Sequence, residues 1–193
     1  ALLLGASDTR AAQAVDFPAL AMARGIGDTR AERAIYLVAV SRMARTSVRL
    51  AKVALEQNAG KLSATEQAIG WAGIAHAASL ALDPSAHEYW VKSAAAPLTD
   101  DELQWKVRDA LRRLDWKTVR ETIAAMPPGL RDDTTWTYWL ARATAAGNGA
   151  QKGEAQALYR RIADRDSFYG QLALEELGEK ITLPPAPAPV TTT

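Results

Sequence analysis

Residues 136–178 read WTYWLARATAAGNGAQKGEAQALYRRIADRDSFYGQLALEELG. The spacing of large and small side chains in this stretch decides the fold. Trp139 and Ala143 stand four apart, Ala155 follows twelve later, and Tyr159 and Ile162 follow at four and three. Spacings of three and four place side chains on one face of a helix. The stretch therefore predicts two helices, about 133–146 and 151–165, joined by a Gly147-Asn148-Gly149 turn able to supply left-handed residues. A third helix, 168–177, opens on Ser167-Phe168-Tyr169-Gly170. Phe168 and Tyr169 are expected to fill the gap at the end of the helix pair. Gly170 is expected where a backbone comes close to a neighbouring helix.

The same spacing recurs. Leu103, Val107, Val119, Ile123 and Met126 fill the corresponding slots 36 residues earlier. Trp71, Ala75, His87 and Val91 stand 36 residues after Ile35, Ala39, Ala51 and Leu55. A helix pair of this size cannot bury its own apolar face, so neighbouring pairs must stack. The remaining helices are expected at 7–14, 17–24, 29–44, 47–58, 63–81, 85–95, 100–113 and 116–125. Their stops have local causes. Gly25 and Gly27 flank a break, Asp28 can cap the next helix, and Thr99 with Glu102 fits a capping box. Asp83-Pro84 and Pro97 interrupt helices, and Pro127-Pro128-Gly129 reads as a loop. The fold class is all-α: a right-handed superhelical α-solenoid of degenerate tetratricopeptide-like hairpins spanning 1–181. Four of the six residues from Pro184 to Pro189 are proline, so 182–193 is a linker or tail of extended polyproline character.

Composition agrees and excludes several functions. The chain has 193 residues, 48% of them hydrophobic and rich in alanine, the best helix former. Period-two runs of β-branched residues are missing. With 23 basic and 22 acidic residues the net charge is +1, which argues against a nucleic-acid binder. There is no cysteine, so disulfides, thiolate metal sites and a thiol nucleophile are excluded. No apolar run reaches membrane-spanning length. The opening ALLLGASDTR carries neither Met nor a signal peptide and reads as a mature piece of something longer.

No residue pattern brings catalytic groups together. His76 and His87 have no partner at metal-binding helical spacing, and both read as packing residues. Asp100-Asp101 and Asp132-Asp133 precede helices, where capping and the helix dipole favour them. Glu175-Glu176 reads as a solvated face, since adjacent helical residues diverge by about 100°. Gly147-Asn148-Gly149 lacks the Lys-Ser/Thr of a phosphate loop, and no G-x-S-x-G elbow occurs. Six of the aromatic residues are Trp. Trp71 and Trp139 fall in core slots, and Trp90, Trp105, Trp116 and Trp136 are left open. One stretch departs from neutrality: 24–52 holds Arg24, Arg30, Arg33, Arg42, Arg45, Arg49 and Lys52 against Asp28 and Glu32. It is either a solvated face or a contact surface for an anionic polymer. Catalytic, cofactor-binding and metal residues are thus expected to be none.

The segment from Val107 to Ile181 resembles a known family. VRDALRRLDWKTVRETIAAMP runs into WTYWLARATAAGN, then AQALYRRIADRDSFYG and LALEELG. Trp136, Tyr138, Trp139, Ala141 and Arg142, then Ala155, Tyr159 and Ala163, then Phe168-Tyr169-Gly170 and Leu177-Gly178 look like the superhelical domain of the periplasmic soluble lytic murein transglycosylases. The likeness covers about 75 residues; the first hundred agree only as helical hairpins. The resemblance implies cleavage of the bond between N-acetylmuramic acid and N-acetylglucosamine, with a 1,6-anhydro product, by one Glu in a lysozyme-like domain. The motifs around that Glu are missing from this sequence. The implied role is a periplasmic, non-catalytic scaffold that shapes how glycan strands approach a catalytic domain. Its implied partners are peptidoglycan strands, weakly or indirectly, and other cell-wall proteins. A free-standing tetratricopeptide-like module that binds a protein or peptide is the alternative.

Overall fold

The structure, a computed structural model, describes residues 8–147 and 151–180. Asn148 and Gly149 of the expected turn and the proline-rich 182–193 lie outside the described residues. The described residues are all-helical: α1 Asp8–Asp16, α2 Pro18–Ala23, α3 Arg30–Ala44, α4 Val48–Gln57, α5 Ala64–Leu80, α6 Ala86–Lys92, α7 Asp100–Arg112, α8 Trp116–Ala124, α9 Pro128–Arg131, α10 Thr134–Ala145, α11 Lys152–Ile162 and α12 Phe168–Leu177, with one 3-10 turn at Ala59–Lys61. The chain divides into two compact units between Thr118 and Val119.

Local chemistry sets the helix starts. Thr29, Ser63 and Thr99 each accept a hydrogen bond from the backbone N–H three residues on, and Glu32, Glu66 and Glu102 reach back to close capping boxes. Asp133 caps α10 through the Thr135 N–H at 2.8 Å. These four caps open α3, α5, α7 and α10, and they stand 34, 36 and 34 residues apart. The start of α3 thus falls on Thr29 and not on Asp28, because only Thr29 has the Glu partner at the third position. The helix ends repeat as well. Leu82 and Leu114 adopt left-handed φ of 57° and 55°. Behind them the Asp83 N–H reaches the Ala78 carbonyl at 2.9 Å and the Asp115 N–H the Ala110 carbonyl at 3.0 Å, a Schellman closure. Gly178, at φ 76°, ends α12 in the same way. Pro128, expected in a loop, begins the short helix α9, since proline at a first helical position costs no hydrogen bond.

In the first unit α5 is the centre, packed against α3, α4, α6 and α7. Its buried residues run all round it, as in a helix enclosed by others. Small side chains make that enclosure possible. A Cβ at Gly70 would stand 2.7 Å from Leu55 Cδ1, and one at Gly73 would overlap Ser41. Trp71 stacks on Tyr89 with ring centroids 5.8 Å apart. Trp90 is buried and its indole N–H donates to Ser79 Oγ at 2.9 Å. Burying a side chain such as Ile74, Val40 or Leu55 contributes about 1.5–3 kcal/mol each.

This packing corrects the repeat register in the first unit. Val91 is 74% exposed and His87 is only half-buried, so neither fills a core slot. The buried pairs are Tyr36 with Trp71, Val40 with Ala75, Ala51 with Ala86 and Leu55 with Trp90, a spacing of 35. One residue of difference rotates a helix face by about 100°.

In the second unit α11 packs on α10 and α12. Its core holds Tyr138, Ala141, Ala155, Tyr159, Ile162 and Ala173. Ala143, Val119, Ile123 and Met126 are buried as the repeat predicted. Trp139 is half-buried; Trp136 and Tyr138 take the deep positions beside it. Tyr169 packs on the core, but Phe168 is 67% exposed, so it does not fill the expected gap. Gly170 is buried where a Cβ would overlap the Arg165 carbonyl oxygen. Among the described residues no helix is long and apolar enough to cross a membrane.

Candidate functional site

The titratable residues singled out in the sequence have structural duties. Asp100 and Asp101 lie in the first turn of α7, behind the Thr99 cap. Asp101 Oδ2 stands 3.0 Å from His76 Nε2, an ion pair only when the ring is protonated. The His76 ring also tilts against Trp105, 6.3 Å away. Ser41 lines the same concavity as His76, but its hydroxyl donates to the Leu37 carbonyl at 3.0 Å, so no serine–histidine relay forms. Asp132 pairs with Arg161 at 3.5 Å. His87 Nδ1 lies 2.9 Å from the Pro84 carbonyl at the start of α6. Among the described residues no three of His, Asp and Glu converge to hold a metal ion.

Glu176 is an exception to the solvated reading of Glu175-Glu176. It ties α12 to α10 by accepting from Arg142 Nη1 at 2.7 Å, while the same nitrogen donates to the Tyr138 hydroxyl at 3.2 Å. Burial raises the Tyr138 phenol above its ordinary value despite that arginine. Burial raises the Tyr159 phenol further, and its hydroxyl, beside the same charges, has no hydrogen-bond partner among the described residues. Tyr138 lies 5.4 Å from Trp139 and 5.3 Å from Tyr169, centroid to centroid. These rings pack on one another. The cluster that carries much of the family resemblance is therefore a clamp between α10, α11 and α12.

Of the tryptophans, Trp71, Trp90 and Trp136 are buried and Trp105, Trp116 and Trp139 are half-buried, with Arg108 5.0 Å from the Trp105 ring centre.

The arginine-rich stretch is where the structure builds a concave surface. Two adjoining hollows on the first unit, sharing Leu37, Val38 and Ile69, form one groove between α3 and α5. Ala34, Leu37, Val38 and Ile69 line its apolar part. Arg30 and Arg33 stand at one end, and Arg42, Arg45, His76 and Glu102 at the other. Arg33 is engaged, donating from Nε to Glu66 at 2.8 Å. The Ser63 backbone N–H and Arg33 together hold the Glu66 carboxyl below its ordinary value. Sequence reasoning found the charge excess but left a single stripe uncertain. The structure divides the set: Arg30, Arg42 and Arg45 line this groove, Arg24 lines a different hollow with Arg10, and Arg49 and Lys52 belong to α4.

No protein-family model and no curated protein matches the chain. Among solved structures, the chain is similar to an inactive mutant of the lytic transglycosylase Slt from Pseudomonas aeruginosa, determined by X-ray. The TM-score is 0.67 at 22% identity, over 89% of this chain and 28% of that one. The chain thus spans little more than a quarter of that protein's length and shares the all-helical fold of that part. The protein family resembled in the sequence is the one the structural likeness returns.

Proposed function

We propose that this chain is a non-catalytic scaffold segment of a soluble lytic transglycosylase that acts on peptidoglycan in the periplasm. The single observation that carries this reading is the likeness over 89% of the chain to a part of Slt. The Trp136-to-Gly178 signature supports it from the sequence side. The paired carboxylates have structural partners: Asp133 caps α10, Asp101 lies against His76, and Asp132 and Glu176 pair with arginines. Glycosidic cleavage needs a carboxylic acid held over the scissile oxygen in a cleft. The scaffold's work is steric: stacked helices form part of a wall that limits how glycan strands approach a catalytic domain carried elsewhere in the protein.

The test is incubation of the purified chain with murein sacculi, followed by turbidity and mass spectrometry of the soluble fraction. The expected result is steady turbidity and no 1,6-anhydro-muropeptides. Their release by the chain alone overturns the scaffold reading.

A further inference from the structure

We propose that the groove between α3 and α5 is a docking site for an acidic amphipathic helix of a protein partner. This inference goes beyond the scaffold reading and stands without it.

The groove is a long stripe. Arg30, Ala34, Val38, Arg42 and Arg45 succeed one another at spacings of four, four, four and three along α3, so they share one face. The α5 side contributes Thr65, Ile69, Gly73 and His76. From Arg30 to Arg45 the stripe runs about 22 Å at 1.5 Å per residue, the length of a four-turn helix. Val38 and Ile69 in its middle are 43% and 36% exposed. Gly73 lets α3 and α5 meet closely at Ser41.

The charges fix the partner's sign. Arg30, Arg42 and Arg45 form no ion pair among the described residues; Arg42 only donates from Nε to the Val15 carbonyl at 3.3 Å. Of the two carboxylates on the rim, Glu66 is paired with Arg33, while Glu102 accepts only from Thr99 and keeps its charge beside Arg42 and Arg45; with four arginines against two glutamates the lining stays net positive. The groove therefore offers unpaired positive charge at both ends and aliphatic surface between.

An anionic glycan or nucleic acid would meet the arginines but gain nothing from Leu37, Val38 and Ile69, and among the described residues no Trp, Tyr or Phe lines the groove for a sugar or base to stack on. A helix satisfies both features. Apolar residues at i, i+4 and i+7 cover the aliphatic strip, and acidic residues near its two ends meet Arg30 at one and Arg42 with Arg45 at the other.

The probe is a fluorescein-labelled synthetic helix of about 16 residues: an alanine background, leucines at i, i+4, i+7 and i+11, and glutamates at both ends. A second peptide carries lysine for each glutamate. Fluorescence anisotropy follows titration with the chain and with two double variants, Arg30→Glu with Arg45→Glu, and Val38→Asp with Ile69→Asp. Circular dichroism checks that each is folded. All four substituted side chains are exposed, so the fold is expected to survive. The acidic peptide should bind saturably, and weaken as salt is raised. Each double variant should weaken it tenfold or more, and the charge-reversed variant should prefer the lysine peptide. Equal binding of both peptides, or none, overturns the proposal. So does displacement of the acidic peptide by soluble murein glycan strands at lower concentration than by the unlabelled peptide, which makes the groove a glycan site.

Discussion

Gly170→Ala is expected to lower stability, although replacing glycine by alanine within a helix normally raises it. Gly170 lies in the first turn of α12, where its N–H donates to the Ser167 cap at 3.1 Å. A methyl group there would overlap the Arg165 carbonyl oxygen and stand 2.9 Å from that of Ile162. Both are backbone atoms at the end of α11 and in the link to α12, so they cannot swing aside as a side-chain tip would. Overpacking costs about 1–3 kcal/mol, and because the atoms met here are backbone the cost falls in the upper part of that range, about 2–3 kcal/mol. The helix propensity of alanine offsets about 1 kcal/mol of that. A net loss of about 1–2 kcal/mol remains, which lowers Tm by about 2–8 °C for a chain of this size. Gly153→Ala in α11 is the matched control, because nothing lies within 4 Å of its would-be Cβ. It should raise stability by about 0.5–1 kcal/mol. The assay is thermal unfolding of both variants and the parent by circular dichroism. If Gly170→Ala melts at or above the parent, as Gly153→Ala should, the close approach of α12 to the end of α11 is refuted.

Four further substitutions test other parts of the structure. Leu82→Gly and Leu114→Gly should each raise stability by about 0.5–1 kcal/mol: both leucines are 65% exposed and left-handed, a conformation costing a side-chain-bearing residue about 1–2 kcal/mol against the extra chain entropy of glycine. A lowered Tm would show that those leucines pack on something. Tyr159→Phe should leave Tm unchanged or raise it, since the hydroxyl it removes is buried without a partner among the described residues; a fall of several degrees would mean that the hydroxyl is bonded. Glu66→Gln should destabilise at neutral pH and matter less in acid. The folded-state pKa of Glu66 is lowered, so its contribution is present above the ordinary carboxylate value of about 4.3 and is lost as pH falls through the folded value. Urea midpoints of parent and variant should therefore differ at pH 7 and converge as the pH falls through the folded value; a constant difference contradicts the sign.

Much of the fold was legible because it rests on local rules. The Thr99–Glu102 box is written in four residues, and the slots from Leu103 to Met126 follow helical spacing. The capping pairs Thr29–Glu32 and Ser63–Glu66 are equally local and could have been read in the same way. The register of α6 was not legible, because Ala51 and Leu55 align with His87 and Val91 at one spacing and with Ala86 and Trp90 at the next. Only the packing of Trp71 on Tyr89 and of Trp90 on Ser79 decides between them. Pro128 was read as a loop because Pro-Pro-Gly breaks a helix it interrupts, whereas a helix can begin on it. The groove was half legible. The excess of arginine is plain in the sequence, but which arginines share a face with Val38 and Ile69 depends on how α3 meets α5, a contact set by Gly73 and Ser41.

In the proposed function this helical chain is the scaffold of a larger peptidoglycan-cleaving enzyme. Reading the coding sequence beyond Thr193 tests it most directly. The expected result is a frame that continues into a lysozyme-like domain carrying a catalytic glutamate. A frame that stops at Thr193, or continues into an unrelated domain, contradicts it.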